Sequence, residues 1–462
     1  MEIQKKPAVL IAAVKSGSGK TTFTCTLLEA LKQRQLNPRA FKCGPDYIDS
    51  MFHKTVIGIP SDNLDSFFAT EDQLKSIFVR ESENNGISVV EGAMGLYDGL
   101  GGISEEGSAY HIASVLDIPV ILVVDAHGMG RSVIPLLSGF LQYDRKKLIK
   151  GVVLNKVTPS FCSMIAPVIE KELGIEVLGC FPKLSDFNIE SRHLGLKIPE
   201  EIQDLKEKLR TASEVLENNV KINRLIDIAS TDKKDEVTRV QGRGVMPVMA
   251  RIAVARDEAF CFYYEENLRV IKEQGGEPIF FSPLHDEKLP ENIDGMILGG
   301  GYPELYAEKL EENESMRKSI RDAIDDGIPS IAECGGFMYL HEMLEDQEHR
   351  TYQMCGALQG RCFYTGKLVR FGYVEIKEKD SDRFGKTGIK AHEFHYFDSE
   401  NNGDCCIAKK PVTGKTWNCI HSDGRKFWGF PHLYYRSNTE FAAEFIRQAI
   451  KYKKERQEKI NG

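Results

Sequence analysis

The run Lys15-Ser16-Gly17-Ser18-Gly19-Lys20-Thr21-Thr22 joins a β-branched stretch, Val9 to Ala13, to a segment where Phe23, Leu27 and Leu31 recur every fourth residue. Strand, glycine-rich turn and amphipathic helix in that order bring backbone N–H groups and a helix N-terminus to a phosphate. Lys20 is placed for the β- and γ-phosphates of ATP and the Thr21 hydroxyl for Mg²⁺. Lys15, Ser16, Gly17, Ser18, Gly19 and Thr22 complete the phosphate-binding loop. Position 14 is Val, where the standard loop has Gly. A glycine-rich turn with an incidental lysine is the bland alternative, and the flanking strand and helix argue against it.

A phosphate loop needs acidic partners for its metal. Glu91 directly follows the run Ile87 to Val90, at a strand's C-terminal end, where ligands gather in open α/β sheets. It is the first choice for a second Mg²⁺ ligand. Phe41-Lys42-Cys43-Gly44-Pro45-Asp46-Tyr47-Ile48-Asp49 brings two more carboxylates past another strand, with Gly-Pro fixing a turn. The metal set expected is Thr21, Asp46 and Glu91. Asn155 follows the run Val152 to Leu154, where its amide is placed to read adenine.

A second chemistry lies far along the chain. Pro329-Ser330-Ile331-Ala332-Glu333-Cys334-Gly335-Gly336-Phe337-Met338 reads as strand, sharp turn and helix, with a cysteine at the corner. The helix N-terminus would stabilise a thiolate there, and the Gly335 N–H would face an oxyanion. The turn Gly299-Gly300-Gly301-Tyr302 offers the other oxyanion donors, from Gly300 and Gly301. A nucleophilic thiol needs a base, and His432, in Gly429-Phe430-Pro431-His432-Leu433-Tyr434, ends a β-like run. A buried inert thiol is the ordinary fate of a lone cysteine, and the two glycines after Cys334 set it apart from the other ten. In Ala391-His392-Glu393-Phe394-His395 a strand would turn the two histidines to opposite faces. That argues for a substrate or interface role over a metal site.

These residues need elements to hold them. From Val9 to about Phe181, β-branched runs alternate with helical patterns, which means crossover connections and a parallel sheet. Glu200 to about Ile228 reads as helix and leads into Ser230-Thr231-Asp232-Lys233-Lys234-Asp235-Glu236, too polar to fill a core. The expected organisation is a nucleotide-binding domain over 1–230, a linker over 231–248 and a second α/β domain over 249–462. In the second, strands are expected at Arg251 to Ala255, Met296 to Leu298 and Ser330 to Ala332, with helices before Glu273 and at Met316 to Ile324. A β-rich stretch follows Cys355, and a closing helix spans Thr439 to Lys454.

Composition narrows the classes further. The 462 residues carry a formal net charge of −8, without the clustered Lys and Arg that nucleic acid demands. The eleven cysteines form no C-x-x-C pair and include the adjacent Cys405 and Cys406, which fits a reducing compartment better than a disulfide framework. No signal-like or membrane-spanning apolar stretch is present, so a cytoplasmic protein without a membrane partner is expected.

Taken together, these motifs resemble the cobyrinic acid a,c-diamide synthase family, ATP-dependent glutamine amidotransferases of the corrinoid pathway, over nearly the whole chain. The carrying segments are the phosphate loop, whose extra lysine Lys15 is similar to the dethiobiotin synthetase and MinD-like branch, Phe41 to Asp49, and Asn63-Leu64-Asp65. They continue with Glu91 to Gly99, Arg192-His193-Leu194-Gly195-Leu196, Ala253 to Phe260, Gly299 to Glu304, and Ala332 to Gly336. The resemblance implies an α/β fold: a P-loop-type parallel-sheet ATP-binding synthetase domain followed by a class I glutamine amidotransferase α/β domain using Cys334 and His432. It further implies substrate and metal contacts at Asp46, Tyr47, Asp49, Glu91 and Asp98, with cobyrinic acid and L-glutamine as substrates, ATP and Mg²⁺ as cofactors, and a homodimer as the assembly to test. Many class I glutaminases carry a carboxylate two residues after the histidine, where this chain has Tyr434, so the group orienting His432 is left unassigned. Hydrogenobyrinic acid and a nickel sirohydrochlorin are rival substrates, and a MinD-like ATPase switch is the rival class, which leaves the Cys334 elbow without a purpose.

Overall fold

The computed structural model describes residues 6–184, 199–230, 246–380 and 387–461. Arg192-His193-Leu194-Gly195-Leu196 and most of the 231–248 linker lie outside the described residues. The chain forms two compact units, Met1–Val240 and Gln241–Gly462. No described helix is long and apolar enough to cross a membrane.

The first unit is built on a seven-stranded parallel sheet. Its strands are β1 (Ala8–Ala13), β2 (Pro38–Cys43), β3 (Ser61–Leu64), β4 (Ile87–Glu91), β5 (Val120–Asp125), β6 (Ile149–Asn155) and β7 (Val177–Phe181). The spatial order is β3-β2-β4-β1-β5-β6-β7. Helix α1 (Lys20–Gln33) follows β1 and buries Phe23, Leu27 and Leu31 in one core cluster with Val9 and Ile11 of the sheet. The fourfold spacing of those residues thus serves as a core stripe. Because β4 inserts beside β1, Glu91 at its end lies next to the phosphate loop, although about 70 residues separate them.

Two features of this unit differ from expectation. Strand β3 has the sequence Ser-Asp-Asn-Leu, without a β-branched residue. Local contacts hold it at the sheet edge: Arg39 pairs with Asp62, and the Asn63 amide donates to the carbonyls of Gly44 and Asp46 at 2.9 and 2.8 Å. The single helical stretch expected from Glu200 to Ile228 is two helices, Pro199–Asn219 and Ile222–Ala229, separated where Val220 bridges to Gly179.

The second unit has a central sheet of β8 (Ala250–Ala255), β9 (Gly276–Phe281), β10 (Gly295–Leu298) and β11 (Ser330–Glu333), extended by Lys426–Gly429 and His421–Ser422. Strand β9 is an edge strand in which only the two end residues are buried, and the sequence pattern gives no sign of it. A separate five-stranded antiparallel sheet includes Arg370–Glu378, Ile389–His395 and the two-residue strand His432–Leu433. The closing helix runs Thr439–Asn461, beyond the expected Lys454.

Candidate active sites

In the first unit, Gly19 caps the N-terminus of α1 with φ +83°, a conformation that suits glycine. A Cβ at Gly19 would lie 2.2 Å from Asn155 Nδ2. The same amide nitrogen donates to the Ser18 carbonyl at 2.7 Å, and Asn155 Oδ1 accepts from the Lys156 N–H at 3.0 Å. Asn155 therefore braces the loop at Ser18, a contact that the adenine-reading expectation did not include. Lys156 reinforces it, with Nζ 3.3 Å from the Gly17 carbonyl and 2.7 Å from Asp125. Lys15, Ser16 and Gly17 are exposed at the loop tip, Ser18 is buried with its hydroxyl on the Lys15 carbonyl, and Thr22 lies in the first turn of α1.

Thr21 Oγ1 donates to Glu91 Oε1 at 2.6 Å and lies 3.5 Å from Asp49 Oδ2. The third corner is Lys42, fully buried at the end of β2, which pairs with Asp49 and lies 3.0 Å from Glu91. His53 Nε2 is 3.4 Å from the other Glu91 oxygen. Burial opposes charge on Glu91, yet Lys42 and then His53 hold its carboxyl well below the usual carboxylate range. Asp49 moves the other way, to about 6, because burial and the Glu91 charge outweigh Lys42. Burial lowers Lys20, and Lys42 beside it adds to the effect. Neither Lys42 nor His53 is marked by its place in the sequence, since their contacts depend on strand order.

Asp46 does not join this cluster. Its Oδ1 accepts from the N–H groups of Ile48 and Asp49 and caps α2 (Tyr47–Phe52), the single turn that presents Asp49. The carboxylates that accept from Thr21 are those of Asp49 and Glu91, so the triplet expected as Thr21, Asp46 and Glu91 has Asp49 in the middle place. Tyr47 is buried at the start of α2. Asp98 is exposed and closes its own turn by accepting from the Gly95 N–H at 2.9 Å. A hydroxyl and two carboxylates suit a hard cation such as Mg²⁺, while no group of three His, Cys, Asp or Glu among the described residues is arranged around a metal site.

In the second unit, Cys334 has φ +46° and ψ −106°, the strained backbone of an elbow between β11 and helix Gly335–Leu340. Its N–H is tied to the Gly429 carbonyl at 2.9 Å, which places it beside the strand that leads to His432. His432 packs so closely on the Gly299–Tyr302 turn that a Cβ at Gly300 would lie 2.3 Å from its Cε1. The Tyr263 hydroxyl accepts from the Gly299 N–H, and the Gly299 carbonyl accepts from Gly336. These bonds fix the turn against the elbow, where a Cβ on Gly335 would be 3.0 Å from Gly301 N. The turn that carries Gly300 and Gly301 thus packs against Gly335, the residue after Cys334.

Burial, then Glu304, raises the Cys334 thiol far above its ordinary value, while the Gly335 N–H opposes the rise. Burial, then His392 and His395, lowers His432 well below its ordinary value. In both groups burial is the largest influence, and it disfavours the charged form. Glu333, directly before Cys334, is pushed up to about 8 by burial, with the Tyr435 hydroxyl donating to it at 3.1 Å.

Family models match a segment of each unit. Residues 9–196 match the CobQ/CobB/MinD/ParA nucleotide binding domain, and residues 251–428 match the CobB/CobQ-like glutamine amidotransferase domain. The cobyrinate a,c-diamide synthase of Caldanaerobacter subterraneus subsp. tengcongensis is 39% identical over 442 residues, covering 95% of this chain and 97% of that protein. This chain belongs to the cobyrinate a,c-diamide synthase family. Similar relatives of the same name occur in Listeria innocua, 39% identical over 93% of this chain and 96% of theirs, and in Clostridium acetobutylicum, 38% identical over 95% and 100%. Membership makes the chain a carbon–nitrogen ligase with a glutamine amidotransferase domain and a nucleotide-binding domain.

Proposed function

We propose that this chain amidates the a- and c-side-chain carboxylates of cobyrinic acid, using ATP and glutamine, through acyl phosphate intermediates in the cytoplasm. The observation that carries the reading is the presence on one chain of a phosphate loop with its Thr21–Glu91 contact and a cysteine elbow packed on the same glycine turn that His432 abuts. A MinD-like switch has no use for the second.

A carboxylate becomes an amide only when its oxygen is made a leaving group. The acid's oxygen takes the γ-phosphoryl group of ATP, ADP departs, and ammonia then attacks the acyl carbon and displaces phosphate. Lys20 and the loop N–H groups neutralise charge on the transferring phosphoryl group. Thr21, Glu91 and Asp49 would hold Mg²⁺, which when bound neutralises phosphate charge and orients the nucleotide. Lys42 keeps the two carboxylates together and Asn155 keeps the loop in shape. Asp46 positions Asp49, and Tyr47 and Asp98 stand where the resemblance places the macrocycle.

In the glutaminase, His432 takes the thiol proton as Cys334 attacks the side-chain amide carbon of glutamine, and the Gly300, Gly301 and Gly335 N–H groups receive the oxyanion. The same imidazolium returns its proton to the departing nitrogen, which leaves as ammonia. Water then cleaves the thioester to glutamate and free thiol.

The test separates the two halves. Cys334→Ala abolishes glutamine-supported amidation and spares synthesis from ammonium salts, whereas Lys20→Ala abolishes amidation from both nitrogen sources. Equal loss from both sources in Cys334→Ala rejects the division of labour.

A further inference from the structure

The strand Ile389–His395 pairs with His432–Leu433 so that His392 stands directly opposite His432. Directly opposed residues of an antiparallel pair share a face, and here the two imidazoles stack, with centroids 5.0 Å and planes 23° apart. Both side chains are buried. His392 is fixed in turn by Tyr264, whose hydroxyl is 3.2 Å from His392 Nδ1. Tyr264 is 2% exposed, caps the helix Glu265–Glu273 and packs edge-on against Tyr434 with centroids 5.6 Å apart.

A histidine ring has a broad torsional preference about its terminal bond, so a catalytic imidazole needs contacts that set its plane. Gly300 limits the His432 ring at Cε1, and His392 covers its face. The position two residues after the base is Tyr434, which packs on Tyr264 and so belongs to the same support.

We propose that His392, held by Tyr264, is the positioning residue that sets the ring plane of His432 for proton transfer from Cys334. It rests on the reading of Cys334 and His432 as nucleophile and base. A stack does this without a second buried charge, in a place where a carboxylate would have to be desolvated. The two histidines at 392 and 395 therefore divide. His392 supports the base, while His395 stacks on Phe430 with centroids 4.1 Å apart and lies 3.5 Å from Glu393.

The experiment measures glutamine hydrolysis by the full chain in His392→Ala, His392→Phe and Tyr264→Phe, with ammonium-supported amidation as the control for a folded enzyme. His392→Ala lowers kcat about 100-fold, the cost of an ångström of misplacement, with KM for glutamine within about twofold of wild type. His392→Phe restores the stacked ring and recovers kcat to within roughly 10-fold of wild type. Tyr264→Phe lowers kcat in the same direction with KM unchanged, and decides the matter alone if His392→Ala does not fold. Wild-type kcat in His392→Ala or Tyr264→Phe overturns the proposal, as does His392→Phe as defective as His392→Ala, or an equal loss with ammonium. Glutamine hydrolysis surviving in Cys334→Ala would overturn the underlying assignment instead, so the two failures are told apart.

Discussion

The Thr21 hydroxyl and the Glu91 carboxylate meet at 2.6 Å, one at the start of α1 and the other at the end of β4. This contact exists because β4 lies next to β1 in the sheet, and it joins the phosphate loop to the buried Lys42–Asp49 pair. Glu91→Gln keeps the shape and removes the charge. ATP-dependent amidation should fall roughly 100-fold or more, the loss expected when several kcal/mol of charge stabilisation disappear. Glutamine hydrolysis by the other unit should persist. Full synthetase activity in Glu91→Gln would remove Glu91 from the site.

Asn155 offers a sharper choice. If its amide holds the Ser18 carbonyl in place, Asn155→Ala raises KM for ATP about 10-fold, in line with the loss of one buried hydrogen bond. The ratio of ATP to GTP use should then stay constant. A relaxed ratio at unchanged KM for ATP would return Asn155 to the adenine-reading post.

Gly300 has no room for a side chain. Gly300→Ala places a methyl group 2.3 Å from His432 Cε1, so the ring must move. Glutamine hydrolysis should drop on the order of 100-fold, while amidation from ammonium salts continues. Unimpaired hydrolysis would show that His432 is not held against this turn during catalysis.

Glu333 gives a pH signature. Its folded carboxyl is pushed up to about 8 by burial from the ordinary 4.5 of a glutamate, so between those values the folded state holds a proton that the unfolded chain has released. This group's stabilising effect is complete below about 4.5 and is lost as pH rises through 8. Glu333→Gln keeps a neutral side chain at every pH. The thermal midpoint of the variant should therefore gain on wild type between pH 5 and pH 8, by an amount equivalent to a few kcal/mol. Parallel pH profiles for the two proteins would contradict the buried neutral acid.

Much of this architecture can be read in the chain. The phosphate loop has β-branched residues before it and a fourfold apolar repeat after it, and those local patterns define strand, turn and helix without tertiary information. The Cys334 elbow is legible for the same reason, since Ser330–Glu333 and the paired glycines are contiguous. What is not legible depends on distant partners. Ser61–Leu64 has no strand composition, and its place comes from Arg39, Gly44 and Asp46. The difference between Asp46 and Asp49 turns on a helix cap, because Asp46 Oδ1 accepts from the N–H groups of Ile48 and Asp49 while the Asp49 carboxylate reaches Thr21. Lys42 and His53 acquire their roles only once β2 lies beside β4. His392 was visible as a residue, but its partner across the sheet was set by a pairing of strands about 40 residues apart.

The proposed reaction itself is tested most directly by mass spectrometry of the macrocycle. The purified chain is incubated with ATP, Mg²⁺ and glutamine, and with cobyrinic acid, hydrogenobyrinic acid or nickel sirohydrochlorin in separate reactions. The account predicts two successive carboxyl-to-amide exchanges on cobyrinic acid, located at the a and c side chains by fragmentation and dependent on ATP. No amidated cobyrinic acid under conditions where another of these macrocycles is diamidated would contradict the assigned substrate, and no amidation of any of them would contradict the reaction.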